Sequence, residues 1–384
     1  MRYRFTCLTP LLVGDGQELS PIDYMVWKDQ VNVLDQRRIF RLLAKGPRLD
    51  NYLAQLKRAD RLDFASWGGF AQNFAGRRIP FEHSSCAVHW GRSGVEALRI
   101  PTFASGPSGP FLPGTALKGA LRTGMFHAGL REGSLDKLAA LFQSDRPLRH
   151  PGEMLEERVL GSGGASRMRV FQTSDSTPVP VAAMKVYLLR IASLKGRNRD
   201  GYTLGWKQSP SGTADGSRPA EGTPTFAEMA SPGTVFEGGW RELGSQVDPE
   251  TRHALGWKES LTREKLFEAA NNYAGALIEA HKTYAQGAGL VHVHEDLVRL
   301  EQRLTESRQA GNACLLSVGW GGGLLSRVAW LKTDDPAYRQ IIVQSGLYGK
   351  SPYPGFPFPK TRRVVFLEDR PAALPGWGLL EVSD

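Results

Sequence analysis

The stretch "FLPGTALKGALRTG", residues 111–124, decides the fold because it sets a Pro-Gly turn directly before a helical pattern. We predict a helix that begins at Thr115, whose hydroxyl caps it, and that runs to about Leu130. Lys118 and Arg122 stand four positions apart and share one face of this helix. Unpaired N–H groups at a helix start carry partial positive charge, so cations there are favourable when an anion binds at the same place.

Phosphate is the natural anion for such a site, because backbone N–H groups, a lysine and an arginine all bind it. Gly114 and Gly119 would let the backbone of a nucleic acid approach closely. A solvated helix face beside a turn explains the same residues equally well. The motif alone therefore leaves both interpretations open.

The segments around this motif mix strands and helices. A strand pattern opens the chain, a helical pattern spans about Asp35 to Phe64, and the clearest helix follows a predicted N-cap at Thr262. Further alternating stretches predict strands at "TVFEGGWREL", "RRVVFLED" and "GWGLLEV". Each half begins with a strand and contains one or two helices. This pattern is typical of an α+β protein with antiparallel sheets, and tandem ferredoxin-like halves are the simplest case.

We predict two domains with a linker between them. Residues 1–204 form the N-terminal ferredoxin-like domain, and residues 234–384 form the C-terminal one, which carries a glycine-rich loop. Residues 205–233 are poor in apolar residues and rich in Gly, Ser, Pro and Thr. That composition predicts a flexible loop or linker.

The charge balance favours an acidic partner. Lys and Arg total 48 against 39 Asp and Glu, a net charge of +9, so nucleic acid and an anionic membrane surface are the leading partner classes. No apolar run approaches the roughly 20 residues that span a bilayer. The three cysteines form no CxxC pair, which argues against a disulfide framework and a zinc knuckle. We therefore predict a cytoplasmic protein with no membrane partner and no metal or other cofactor.

Two further motifs place positive charge in a glycine-rich loop or in an extended segment. In "VGWGGGLLSR", residues 318–327, a glycine cluster precedes a short helical run that carries Arg327, and consecutive N–H groups in such a loop can bind an anion. A tight structural turn is the alternative. In "PFPKTRRVV", residues 357–365, two prolines keep a basic segment extended, although charge runs are usually just solvated.

Together the motifs resemble the RAMP superfamily of type III CRISPR–Cas effector proteins. "LTPLLVGDG", "FLPGTALKGALRTG", "VGWGGGLLSR", "FPKTRR" and "GWGLLEV" follow one another in the order of that family, from residue 3 to residue 380. The order, the chain length and the "FPKTRR" tail are most similar to the subunit of the type III-A (Csm) complex that caps the backbone filament. That cap lies at the 3′ side of the CRISPR RNA (crRNA).

The resemblance implies a pair of ferredoxin-like (RRM-type) domains that hold guide RNA through its backbone and shape. Contacts to phosphate and sugar carry no sequence information, and base pairing of the guide supplies specificity. The implied partners are crRNA, target RNA through the complex, other Csm subunits (above all the adjacent backbone subunit) and a host trimming nuclease. The implied RNA-binding residues are Gly114, Thr115, Lys118, Gly119, Arg122, Gly319, Gly321, Gly322, Gly323, Arg327, Lys360 and Arg362.

Catalysis is the alternative, because the superfamily also contains nucleases. Asp15 and Asp23 are the nearest candidates for a loop aspartate that cuts RNA, yet Asp15 stands between two glycines, as turn residues do. His292 and His294 in "VHVHED" share a face at strand spacing, but no third metal ligand is evident. We predict a non-catalytic crRNA-binding and capping subunit that contributes to crRNA 3′-end maturation or protection, complex assembly and antiviral interference. A ribonuclease that processes CRISPR RNA or cuts target RNA remains the alternative.

Overall fold

Two antiparallel sheets form the framework of the protein. The structure, a computed structural model, describes residues 1–44, 48–58, 74–142, 150, 152–198, 201–244, 247–257, 259–346 and 356–383. The first sheet contains β1 (Arg2–Cys7), β9 (Phe171–Thr173), β14 (Val235–Glu242), β15 (Ala313–Ser317) and β18 (Trp377–Ser383). Their spatial order is β15-β18-β1-β14-β9, and every neighbouring pair is antiparallel. The fold therefore brings β1 and β18 together at the middle of one sheet.

The second sheet is built around one long strand, β10. It contains β10 (Met184–Asn198), β11 (Gly201–Lys207), β12 (Thr213–Asp215), β13 (Thr225–Ala230), β16 (Thr361–Leu367) and β17 (Arg370–Ala373). The order is β12-β11-β10-β16-β17, with β13 paired to one part of β10. All of these pairs are antiparallel, so the predicted α+β class with antiparallel sheets is confirmed.

Residues 205–233 include the end of β11 and the whole of β12 and β13, so the structure has strands of the second sheet where the sequence predicts a flexible linker. Phe226 and Met229 of β13 are fully buried, as is Trp206 of β11, whose Nε1–H donates to the Gly216 carbonyl at 3.0 Å. Glycine and serine turns between short strands dominate the composition, but a few large apolar side chains anchor the segment. The predicted domain limits at residues 204 and 234 stay a prediction. Each of the two large sheets contains strands from residues 1–204 and from residues 234–384.

The remaining strands form three small sheets, and helices fill the connections. The small sheets pair β2 (Glu18–Leu19) with β6 (Ile100–Pro101), join β3 (Tyr24–Trp27), β4 (Gln30–Leu34) and β5 (Ala75–Pro80), and pair β7 (Ser105–Gly106) with β8 (Gly109–Pro110). The helices are α1 (Gln36–Leu43), α2 (Arg48–Arg58), α3 (Ser84–Arg92), α4 (Gly114–Gly129), α5 (Asp136–Phe142), α6 (Glu153–Leu160), α7 (Pro249–Ala254), α8 (Arg263–Gly287), α9 (Val291–Ala310) and α10 (Pro336–Gln344).

One predicted helix start agrees with the structure and another differs from it. Helix α8 begins after Thr262, whose hydroxyl accepts the Lys265 N–H at 3.4 Å, as predicted. Helix α4 begins at Gly114, with Pro113 rather than Thr115 at the N-cap. The predicted helix over residues 35–64 corresponds to α1 and α2, and its last residues lie outside the described part of the chain.

The three cysteines are buried thiols. Burial raises the pKa of Cys86 to about 11 and that of Cys7 to about 12, so both stay protonated at neutral pH and react poorly as nucleophiles. Across the described ranges, no helix combines the length and apolar character that crossing a bilayer would need.

Helix α4 crosses helix α8 at very short range. Gly124 of α4 is buried against Ala270 of α8, and a Cβ at position 124 would lie 2.8 Å from the Ala270 Cα. Side-chain carbons do not approach backbone atoms so closely, so this crossing requires glycine. Gly119, on the exposed side of the same helix, has nothing within 4 Å of where its Cβ would be.

We expect Gly124→Ala and Gly119→Ala to change stability in opposite directions. Gly124→Ala should lower the free energy of unfolding by about 1–3 kcal/mol, because the added methyl group overpacks the helix crossing. Gly119→Ala should raise it by up to about 1 kcal/mol, because alanine favours a helix interior. Urea unfolding of both variants measures this difference. Equal effects of the two substitutions would contradict the close packing of α4 on α8.

Candidate nucleic-acid interface

The glycine-rich loop follows β15 and is fixed against the segment after β1. The Trp320 N–H donates to the Leu12 carbonyl at 2.7 Å, and Gly319 has φ of +80°. A Cβ at Gly319 would collide with the same Leu12 carbonyl, so this glycine serves the packing of the chain on itself. Gly323 is different: it is exposed at φ of +78° with no atom within 4 Å of its Cβ position. Only this end of the loop is open to a close ligand among the glycines at 319, 321, 322 and 323.

A cavity of about 490 Å³ brings the glycine-rich loop together with the basic segment near residue 360. Its ionisable lining groups among the described residues are three arginines and one histidine, with no carboxylate. The residues that line it from the two motifs are Trp320, Gly321, Gly322, Gly323, Leu324, Leu325, Arg327, Pro359, Thr361, Arg362 and Arg363. The two motifs that the sequence predicts to act together are therefore neighbours.

Arg362 is buried and holds the wall of this cavity. Its Nε donates to His281 Nδ1 at 3.0 Å, and its Nη1 donates to the carbonyls of Pro359 and Thr361 at 2.6 and 2.9 Å. The guanidinium also stacks on the ring of Tyr284, 4.3 Å from its centre. Burial lowers the pKa of Arg362 to about 10, so the group stays charged at neutral pH. These bonds give Arg362 a scaffold role, and its predicted direct contact with RNA stays a prediction that the burial argues against.

Arg363 of the basic segment also lines the cavity, although it is not among the RNA-binding residues that the resemblance implies. Its guanidinium lies 4.0 Å from the centre of the Trp320 ring, a cation–π contact, and its buried Nε has no hydrogen-bond partner in the described structure. Burial lowers the pKa of Arg363, and the nearby charge of Arg327 lowers it further. The signal that could have found this residue is the period of two along β16, which places Arg362 and Arg363 on opposite faces.

A second cavity, of about 480 Å³, extends the first towards helix α4. Both cavities are lined by Trp320 and Arg327, and the second also reaches Gly319 and Ala116 of α4. Arg327 is exposed at the junction and forms no ion pair within the described ranges. We call these two cavities the arginine cleft.

Lys118 and Arg122 lie on the far side of α4 from this cleft. Lys118 is two positions from Ala116, about 200° around a helix of 3.6 residues per turn. The Lys118 ammonium donates to the Phe171 carbonyl at 2.8 Å, while Arg122 is ion-paired with Glu156. Burial lowers the pKa of Lys118, as does the charge of Arg169. The structure therefore gives both predicted phosphate ligands partners within the chain, although Arg122 remains exposed.

The start of α4 already has an anion bound to it. The Asp175 carboxylate accepts the Gly114 N–H at 2.9 Å, and the Thr173 hydroxyl donates to the Gly114 carbonyl at 2.8 Å. A Cβ at Gly114 would lie 2.5 Å from the Ser174 carbonyl oxygen. These contacts argue against a phosphate at Gly114, because the chain supplies its own carboxylate there and the glycine lets β9 approach. The predicted RNA contact of Gly114 stays a prediction. Thr115 and Gly119 remain exposed on the same helix.

The candidate catalytic residues have structural partners. Asp15 accepts the Gln17 N–H at 3.0 Å, and Asp23 accepts the Ser20 N–H at 2.7 Å, as turn residues do. His292 and His294 lie in helix α9 rather than in a strand, so they point to different faces, and His292 contacts Glu295 at 3.2 Å. In the part of the chain that the structure describes, no three His, Cys, Asp or Glu side chains are grouped to hold a metal ion.

A model of the RAMP superfamily matches residues 4–286. The chain belongs to the RAMP superfamily. This confirms the superfamily that the sequence motifs predicted, and the antiparallel α+β fold of this RAMP protein is the one the resemblance implied. Among curated protein sequences, none matches the chain.

Two solved structures share the fold of this RAMP protein. One is a chain of the cryo-EM structure of a Csm-crRNA-target RNA ternary complex in a type III-A CRISPR-Cas system, with 20% identity and a TM-score of 0.71. The other is the crystal structure of T. onnurineus Csm5, with 18% identity and a TM-score of 0.65. In both comparisons 99% of this chain and 100% of the other are covered, so the likeness extends over the whole fold.

We expect the stability of this RAMP protein to fall as pH drops through the ordinary imidazole pKa of 6.5. Burial and the charge of Arg362 hold the pKa of His281 well below that value, so the unfolded chain binds a proton that the folded chain does not. The loss approaches about 1.4 kcal/mol per pH unit for one proton. Urea unfolding between pH 7.5 and pH 5 measures it. His281→Asn, whose amide oxygen can still accept from Arg362, should show a shallower slope, and an unchanged slope would contradict this origin.

Proposed function

We propose that this RAMP protein is a non-catalytic subunit of a type III-A (Csm) CRISPR–Cas effector complex. In that role it binds crRNA, caps the backbone filament at the crRNA 3′ end, and contributes to 3′-end maturation or protection, to assembly and to antiviral interference in the cytoplasm. Membership of the superfamily supports this proposal. So does the fold shared over the whole chain with a chain of a Csm-crRNA-target RNA complex and with Csm5.

The arginine cleft is the observation that carries the proposal. Arg327 and Arg363 line its first cavity, which has no carboxylate among the described residues, and the exposed backbone of Gly323 lies beside them. In the second cavity the lining carboxylate that the structure describes, Glu18, is ion-paired with Arg99. Guanidinium groups and backbone N–H groups bind phosphate through charge and geometry alone. Such contacts suit a strand whose base sequence changes from one guide to the next.

The exposed side of α4 extends this surface. Thr115 and Gly119 lie between Ala116, at the edge of the cleft, and Arg122 further around the helix. A strand that leaves the cleft past Ala116 can cross Gly119, where no side chain obstructs it. Arg122 then contacts it only by exchanging its ion pair with Glu156 for a phosphate.

The cleft offers few groups that RNA cleavage could use. A general acid and base must reach the reacting phosphate, and the described ionisable groups of the cleft are arginines, which stay protonated, His281, and Glu18, which is ion-paired with Arg99. The Nδ1 atom of His281 is occupied by Arg362, and burial holds the pKa of His281 too low for it to act as an acid at neutral pH. These properties favour binding over catalysis.

The partners follow from this role. They are crRNA, target RNA through the complex, and other Csm subunits, above all the adjacent backbone subunit. A recruited trimming nuclease, which the sequence resemblance also implies, stays a prediction.

We expect Arg327→Glu to weaken RNA capture without unfolding the protein, because this side chain is exposed and unpaired within the described ranges. Loss of one phosphate contact should reduce the slope of log affinity against log salt by about 0.7–0.9. Filter binding of labelled crRNA over a range of salt concentrations measures both quantities. Lys207→Glu, an exposed cation on β11, serves as the charge-matched control.

The paired substitution Lys118→Ala with Arg122→Ala tests the predicted path over α4 in the same assay. Weaker capture by this double variant places the strand on that helix. If Arg327→Glu and its control bind crRNA equally, the arginine cleft is not the RNA site.

We expect no cleavage when the purified protein is incubated with labelled precursor and mature crRNA, with or without Mg²⁺. Gel electrophoresis of the products measures this. Cleavage that disappears in Asp15→Ala or His292→Ala would show a ribonuclease instead. Those two variants also serve as controls for a contaminating nuclease, whose activity they would leave unchanged.

A further inference from the structure

Helix α1 presents an exposed face that mixes positive charge with apolar side chains. Ile39 and Leu43 are buried in a separate small core beneath the helix. On the outer side, Phe40 and Leu42 are 44% and 58% exposed. The exposed arginines of the same two turns are Arg37, Arg38 and Arg41.

The order of these side chains around the helix is set by about 100° per residue. Arg37, Arg41 and Arg38 occupy the middle of the exposed arc. Phe40 and Leu42 flank the arginines on the two sides, where the arc turns towards the core. We call these five residues the α1 arginine face.

The positive charge of this face is not neutralised within the described structure. None of the three arginines forms an ion pair there, and like charges one turn apart repel each other. Asp35, the acidic N-cap residue of α1, accepts the backbone N–H of Arg38 at 3.0 Å. Carboxylates on the surface of a bound partner would offset this repulsion between the arginines.

The helix is held firmly enough to act as a recognition element. It follows β4, which is paired with β5, and Arg77 of β5 reaches the second sheet. There Arg77 Nη2 donates to Glu228 Oε2 at 2.8 Å, and the Glu228 side chain is fully buried. The small sheet of β3, β4 and β5, which precedes and follows α1 in the chain, is thereby joined to the second sheet by an ion pair with a buried carboxylate.

We propose that the α1 arginine face docks on an acidic, partly apolar surface of a partner protein. Arginine and phenylalanine are enriched in protein interfaces, and guanidinium groups bind carboxylates in pairs of hydrogen bonds. Leu42, the more exposed of the two apolar side chains, can pack on a protein surface but makes no favourable contact with a phosphate backbone. The mixture therefore favours a protein over RNA. None of these residues lines the arginine cleft, so the proposal goes beyond the RNA site.

Photo-crosslinking from position 40 identifies the occupant of this face. The full chain, with benzoylphenylalanine replacing Phe40, is co-expressed with the products of its neighbouring genes, purified as a complex and irradiated before and after ribonuclease treatment. We expect a crosslink to a protein subunit that survives the treatment and maps to an acidic segment. A crosslink to RNA alone, or no crosslink, would overturn the proposal.

Charge reversal tests the electrostatic part. Arg37→Glu with Arg41→Glu should lower the affinity for the crosslinked subunit by about tenfold or more at moderate salt. Lys207→Glu with Arg370→Glu is the control, because it makes the same change in net charge at two exposed sites on the second sheet. Equal binding by the two double variants would overturn the proposal. Capture of crRNA, measured on the same proteins, separates this result from the fate of the arginine cleft.

Discussion

A buried guanidinium organises one wall of the arginine cleft. Arg362 bonds to His281 of α8 and to two carbonyls of its own segment, and so joins β16 to the longest helix. Burying a charge without a carboxylate is costly, and here hydrogen bonds and the Tyr284 ring offset that cost. Because strand residues alternate, the anchored Arg362 side chain leaves Arg363 on the other face of β16, where it contacts Trp320 of the glycine-rich loop. Two adjacent arginines that both line the first cavity thus have different partners.

The glycines divide into two functional groups that the sequence does not distinguish. Gly114, Gly124 and Gly319 lie where another part of the chain approaches, and each is explained by packing. Gly119 and Gly323 have open space above them. A glycine-rich motif therefore indicates that another group approaches the backbone closely, but only the structure shows whether that group belongs to the chain itself or to a ligand.

Local patterns predicted helices α4 and α8, the N-cap at Thr262 and strands β1, β14, β16 and β18, and the order of the motifs predicted the superfamily. Two features were missed because they depend on distant residues. The segment at 205–233 becomes sheet through contacts with β10, and Asp175 caps a helix about 60 positions earlier in the chain. The alternation in "VHVHED" indicated a strand, whereas buried Val293, Leu297 and Leu300 have the spacing of a helix that packs on α8. Side-chain partners such as Glu156 for Arg122 could not be foreseen from spacing at all.

The place of β18 in the first sheet has a consequence for biosynthesis. It lies between β1 and β15, with Arg2 opposite Ser383, so a central strand of that sheet emerges from the ribosome after all the others. Until then β1 and β15 have no strand to join them, and their backbone groups stay unpaired along those edges. Contacts of such long sequence separation form slowly. The nascent chain must therefore remain unaggregated with its sheet divided until β18 has been translated.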